Sequence, residues 1–431
     1  MFEDTDTKVL LDALHVRNNP LSWFWTDWPL QNHFYRPIST LFFEWDERLH
    51  PGSASGFGLT NALIACACVL ALFWLLREAT ESPWFSGCAA TVFGLWHFVG
   101  FGADAVGGVF WILACVPVLG ILRGGKASLL PCLLAMCTLA YLSQLVMPVM
   151  PFGLRVIDWL PGRTASTMTL FALISMSAYA RFERLSAGRM SRAKPSALDV
   201  PATKGAEAID EGPAKSARIW AAVSLAGLAL ALGCHEQAVM LPAELVALAV
   251  LFRVRRRTPH WAFHAAPWIV LLAYVALRSR IVPMAASGYQ LQQFRNGPGV
   301  VLSLADYGFP AYNWATSLVL SMTGGALMLL IGSTWASIAT IIGNVTGWWL
   351  AWKHDLRWLT LGFFSMSFLA YLPMAWLQQF GHYHYWPSAM RAAFLVGLLA
   401  VAAKALVSAI SLPRLQAPKR LRPAPGSLPR Q

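Results

Sequence analysis

Four short stretches hold residue types able to do chemistry on a polar substrate, and all four are expected on one face of a membrane. FEDTD carries Asp4 and Asp6 two residues apart. A carboxylate held at a membrane face can take a proton from an attacking hydroxyl, although an acidic segment in water shows the same spacing. HFYRPIST carries Tyr35 and Arg36 ahead of a stiffening Pro37. Arg36 offers planar donors suited to phosphate, or it snorkels to headgroups. GCHEQAVMLP sets His235 and Glu236 between two apolar runs. Ionisable groups at that depth face a polar cavity rather than lipid, unless Gly233 opens a short solvated turn. GHYHYWPSAMR carries His382, His384 and Tyr385 before another run. Two histidines two apart suit a phosphate or a metal, but no third metal ligand is evident. Arg278 and Arg280 end a further apolar run. Glu244, eight residues beyond Glu236 and on the same side of a helix, sits mid-run and needs a cationic partner or a proton.

The elements that must position these residues are membrane helices. The hydrophobic fraction is 57% and the charged fraction 13%, with mean hydropathy +0.51. A soluble domain does not carry so many runs of the ~20 residues that cross a hydrocarbon core. Spans are expected near 58–77, 84–100, 105–122, 128–148, 164–181, 218–234, 237–252, 261–278, 330–352, 358–376 and 387–410, giving an all-α polytopic bundle of about 11 helices. Residues 310–326 are apolar but broken by Pro310, Asn313, Gly324 and Gly325, and read as a partial crossing. Many of the 20 Trp flank the runs, as at a headgroup belt.

The net charge of +12 does not indicate nucleic acid, because the basic residues fall in loops that alternate with apolar runs. That alternation assigns Arg123, Lys126, the loop 185–217, the RVRRR run and the tail 412–431 to the cytoplasm. The N-terminal segment 1–56 and the loops 149–163 and 279–309 then face the other side. The loop 185–217 reads as disordered. Residues 6–17 read as a short amphipathic helix, and Trp23, Trp25 and Trp28 as a segment lying along the membrane interface. The domain proper is expected over 57–411. The acidic N-terminus does not read as a signal peptide. The seven cysteines lie in or beside apolar runs without a CxxC pair, so neither a disulfide framework nor a zinc site is expected.

In order, these motifs resemble those of the GT-C-type membrane glycosyltransferases, in the branch of the protein O-mannosyltransferases and the transmembrane O-mannosyltransferases. Asp4 and Asp6 match the acids of the first loop, and Tyr35-Arg36-Pro37 the YRP motif. Gly162-Arg163 matches a Gly-Arg pair. Glu236 takes the acid of a Ser-Lys-Glu motif, with His235 in the Lys position. Arg278 matches the Leu-Arg end of a later span, and Tyr385, Pro387 and Ser388 match a YLPS element.

The resemblance implies a hexosyltransferase that takes sugar from a polyprenyl-phosphate donor on the non-cytoplasmic face of a bacterial inner membrane and needs no cofactor. An acid of the first loop, Asp4 or Asp6, would serve as base. Tyr35, Arg36, His235, Arg278 and Arg280 would hold the donor phosphate, with Arg163, Glu236, His382, His384 and Tyr385 around them and no metal. The partners would be membrane lipid, the lipid-linked sugar and an acceptor, with no nucleic acid. The departures are His235 for Lys, an extra hairpin at 84–122, no tetratricopeptide repeats, and a sequence that opens at the acids, so that the family's first span is expected to be missing. The competing readings are a transporter or flippase for a lipid or small polar solute, for which Glu244 speaks and the lack of internal repeats does not, and a non-catalytic relative.

Overall fold

The computed structural model describes residues 4–16, 19–98, 152–193, 212–254, 260–308, 357–378 and 380–411, with Trp349 and Trp352. The expected spans 105–122, 128–148 and 310–326, most of 330–352, and the tail 412–431 lie outside the described residues.

The described residues are mostly helical, with no strand among them. In chain order the α-helices are α1 (Thr5–Val16), α2 (Pro37–Leu49), α3 (Ala54–Thr80), α4 (Pro83–Leu95), α5 (Arg163–Ala193), α6 (Gly212–Leu232), α7 (Leu241–Val254), α8 (Ala265–Ile281), α9 (Gly288–Gln293), α10 (Gly297–Gly308), α11 (Arg357–Tyr371) and α12 (Tyr385–Ser411). Local chemistry sets several starts. Ser53 caps α3 by accepting the Gly56 N–H, and Ser82 caps α4 ahead of Pro83, which occupies the first position. Among the described residues, four helical stretches are long and apolar enough to cross a membrane: Ala54–Thr80, Lys215–Leu232, Trp261–Ile281 and Trp358–Trp376.

Helix α5 is the hub and packs on α2, α3, α6, α7 and α12. Its many hydroxyls permit this rather than oppose it. Thr169 and Ser177 donate back to the carbonyls of Ala165 and Leu173 at 2.8 and 2.6 Å. Their polar atoms are thereby satisfied within the helix, and short side chains let a neighbouring backbone approach. Ser175 donates to the Ser224 carbonyl on α6 at 2.7 Å. The main apolar core joins α3, α4, α5, α6, α7, α11 and α12.

Two expectations are corrected. The loop 185–217 is not disordered throughout, because α5 runs on to Ala193 and α6 begins at Gly212; only 194–211 lie outside the described residues. Nor do the three N-terminal tryptophans lie together at an interface. Trp23 and Trp28 are buried with Leu10, Leu14, Phe43, Phe57 and Leu160 in a second apolar cluster, and Trp25 alone of the three is exposed. The helix expected over 6–17 is α1 (Thr5–Val16), with Arg17 outside the described residues, and its Leu10 and Leu14 seal the segment onto the bundle.

Candidate functional site: a two-arginine cavity

Segments far apart in sequence meet at a cavity of about 290 Å³, lined by Asp6, Arg36, Arg155, Trp159, Tyr289, His382 and Tyr383 among others. A larger cavity of about 590 Å³, within the N-terminal segment, is lined among the described residues by Asp12, Asp27, His33, Trp23 and Trp28, with no Lys or Arg among them. The smaller one has the arginines that suit an anionic group.

Arg36 reaches the cavity because α2 is bolted to the turn that carries Glu236. Pro37 sets the first helical position. The Ile38 N–H donates to the Gly233 carbonyl at 3.0 Å, and the Ser39 hydroxyl to the Cys234 carbonyl at 3.1 Å. A Cβ at Gly233 would strike the Ile38 side chain, so the close approach requires glycine. Arg36 then donates from Nε and Nη2 to Glu236 Oε2 at 2.9 and 2.6 Å. Its guanidinium lies 4.2 Å from the Phe34 ring and 5.4 Å from the Trp28 ring. Glu236 orients this cation and offsets its charge.

The two N-terminal acids separate in role. Asp4 caps α1 by accepting the Thr7 N–H at 2.9 Å, and it also accepts from Trp159 Nε1 at 3.2 Å. Burial opposes its charge, but the Thr7 and Trp159 hydrogen bonds outweigh that and hold its carboxyl below the usual value. Asp6 lines the cavity instead. Burial, then the neighbouring Asp4 charge, pushes its carboxyl up against the pull of Arg155. A carboxylate raised in this way is the better base near neutral pH.

Arg155 stands on the opposite side of the charge balance. It is exposed, its guanidinium is 5.3 Å from the Trp159 ring, and it forms no ion pair among the described residues. His382 packs 5.1 Å from Trp159 and 4.3 Å from Tyr383. Burial, then the charges of His235 and Arg36, keep it well below the ordinary histidine value. It is therefore neutral at pH 7, with one donor and one acceptor. His235 caps the turn after it by accepting the Gln237 N–H at 3.2 Å. It too is held well below the ordinary value, first by burial and then by Arg36.

Several expected site residues do not line the cavity. Tyr35 is buried and donates to the Phe24 carbonyl at 3.0 Å. Arg278 donates to the His33 carbonyl at 3.1 Å, tying a turn, and Arg280 is exposed. Arg163 is fully buried, paired with Asp46 at 2.6 Å and bonded to Asn61 and the Phe57 carbonyl. Tyr385 is sealed against His97 Nε2 at 2.8 Å. His384 is sealed among Tyr307 and Tyr371. Glu244 is fully buried in α7, with neither carboxyl oxygen hydrogen-bonded.

Arg155, Trp159 and Tyr289 belong to the cavity and were not singled out from the sequence. The signal for Arg155 was present: an arginine in a loop assigned to the side where basic residues are disfavoured. Among the described residues, no group of three or more His, Cys, Asp and Glu is placed to hold a metal ion. Two guanidiniums, one carboxylate, a neutral imidazole and indole and phenol rings make a lining suited to an anionic group joined to a polyhydroxyl body. Comparison with protein-family models, curated proteins and solved structures found no match for this chain.

Proposed function

We propose that the chain is an integral membrane glycosyltransferase that moves a sugar from a polyprenyl-phosphate donor to a protein, lipid or glycan acceptor on the non-cytoplasmic face. The observation that carries this reading is the meeting of Asp6, Arg36, Arg155 and His382 around one cavity. The motif resemblance points the same way. The four apolar helices supply the membrane setting that a lipid-linked donor demands; the full count of about 11 spans, the sidedness and the bacterial inner membrane belong to this proposal.

In this mechanism Asp6 takes the proton of the acceptor hydroxyl as its oxygen attacks the anomeric carbon. The bond from that carbon to the phosphate oxygen breaks, and the polyprenyl phosphate leaves with the electron pair. Arg36 is fixed beforehand where that charge grows, so it needs no reorganisation at the moment of reaction, and Arg155, against the Trp159 ring, adds a second positive charge. Glu236 keeps Arg36 in place, and Asp4 keeps Trp159 in place. The test is transfer from a polyprenyl-phosphate sugar by the purified chain in lipid. Asp6→Asn is expected to lower the rate about 10²–10⁴-fold with the protein intact. An undiminished rate in that variant removes the mechanism.

Glu244 supports a second reading, a transporter or flippase for a lipid or small polar solute, since a buried acid within a membrane bundle commonly marks a pathway. Uptake into proteoliposomes that is lost in Glu244→Gln and untouched in Asp6→Asn would select it.

A further inference from the structure

Arg391 lies early in α12 and is 3% exposed. Its Nη1 donates to the Tyr307 carbonyl, at the C-terminal end of α10, at 3.0 Å. Its Nε and Nη2 have no partner. His384, the residue just before α12, is fully buried with neither ring nitrogen bonded. Both lie against the ring of Tyr307, and burial first, then the Arg391 charge, push His384 down to about 3. A ladder of rings fixes the imidazole, with Tyr371 at 5.0 Å and Tyr307 at 5.8 Å from it and 4.2 Å from each other. The Arg391 guanidinium lies 5.5 Å from the Tyr307 ring.

A buried guanidinium is costly without an anion beside it. No carboxylate pairs with Arg391 among the described residues. An ionisable side chain at such a position ordinarily has a named partner, and none stands beside Arg391 among the described residues. The unbonded donors of Arg391 and one N–H of the neutral His384 are the groups that an oxyanion such as a phosphate would take up.

We propose that Arg391 and His384 form a second anion site, separate from the cavity of Arg36 and Arg155, that binds a phosphate group. Its source is either a membrane lipid headgroup or a soluble phosphate. The site stands on Arg391 and His384 alone and does not depend on the transferase reading.

The experiment uses the full chain, delipidated in detergent, with binding read as the rise in unfolding temperature on titration. One arm adds phosphatidic acid and the other inorganic phosphate. Both arms are run in an Arg36→Met/Arg155→Met background, which removes the first cavity's cations. Saturable binding is expected to survive in that background. It should weaken about tenfold or more in Arg391→Met, be partly kept in Arg391→Lys, and weaken in His384→Phe, which preserves the ring ladder but removes the donor. A response to phosphatidic acid alone assigns the lipid source, and a response to inorganic phosphate assigns the soluble one. Binding by His384→Phe and Arg391→Met as tight as in the parent overturns the proposal, as does a parent that binds neither probe. Should Arg391→Met fail to fold, undiminished binding by His384→Phe is sufficient to overturn it.

Discussion

Two arginines of this chain each hold a carboxylate at 2.6 Å, and the pairs serve opposite ends. Arg163 and Asp46 are sealed in the bundle. Asn61 and the Phe57 carbonyl take further donors, and the rings of Phe43 and Phe57 lie 5.2 and 5.3 Å from the guanidinium. Nothing from outside reaches that cation. Arg36 and Glu236 form the same kind of pair at the wall of a cavity, and the Glu236 side chain keeps 22% of its exposure. A buried pair closed on all sides fixes how helices meet. A pair open on one side presents an oriented positive charge. The difference teaches that the chemistry of a motif does not reveal its use; what stands on the open side of the guanidinium does.

The sharpest way to break this contrast is to remove each cation. Arg163→Met strands Asp46 without water, and the expected cost is about 3–5 kcal/mol of folding stability, read by denaturant unfolding in detergent. Arg36→Met leaves Glu236 partly hydrated, so its expected cost is only about 1–2 kcal/mol. Equal losses would erase the distinction between a sealed and an open pair.

A second effect separates the two in function. Arg36→Lys keeps the charge but loses the two-point grip on Glu236. Its sugar-transfer rate is expected to fall about tenfold or more while the unfolding temperature barely moves. Arg163→Lys should do the reverse, lowering stability with little change in rate per folded molecule.

The pH dependence sharpens the picture of the open region. His235, His382 and His384 all sit below the ordinary histidine value in the fold. The unfolded chain therefore binds more protons as pH falls below about 6.5. The stability they support is present above that pH and is lost as pH falls toward the folded values. The unfolding temperature should drop on acidification below about pH 6.5, and His384→Phe should flatten part of that drop. Asp6 has the opposite sign. Its value is raised, so its contribution to stability is full below about 3.8 and is lost as pH rises through the folded value. The same shift places the acid limb of the transfer rate above the ordinary aspartate range, and a limb at or below that range would remove Asp6 as base. The smallest expected effect is Tyr35→Phe, which gives up one hydrogen bond to the Phe24 carbonyl for about 1 kcal/mol.

Much of the helical framework was legible before any coordinates. The spans expected at 58–77, 218–234, 261–278 and 358–376 fall on the four stretches long and apolar enough to cross a membrane, Ala54–Thr80, Lys215–Leu232, Trp261–Ile281 and Trp358–Trp376, because long apolar runs have few alternatives once the backbone must satisfy itself. The amphipathic pattern of α1 was equally readable. The site was legible by type and not by membership. Asp6, Arg36 and His382 line the cavity, as their chemistry suggested. Asp4, two residues from Asp6, became a cap, and Arg163 became a core ion pair.

His382 and His384 show the limit most plainly. Two residues apart in one turn, they are alike in type and in flanking sequence. One faces the cavity beside Trp159, and the other enters a ladder of tyrosines. Composition and periodicity by themselves determined that this chain is a set of apolar helices with polar chemistry gathered at their ends, since burial of apolar surface and backbone satisfaction are local demands. Tertiary structure alone decided which polar groups share one cavity. That depends on contacts such as Ile38 to Gly233 and Trp159 to Asp4, made between residues far apart in the chain, which no local pattern records.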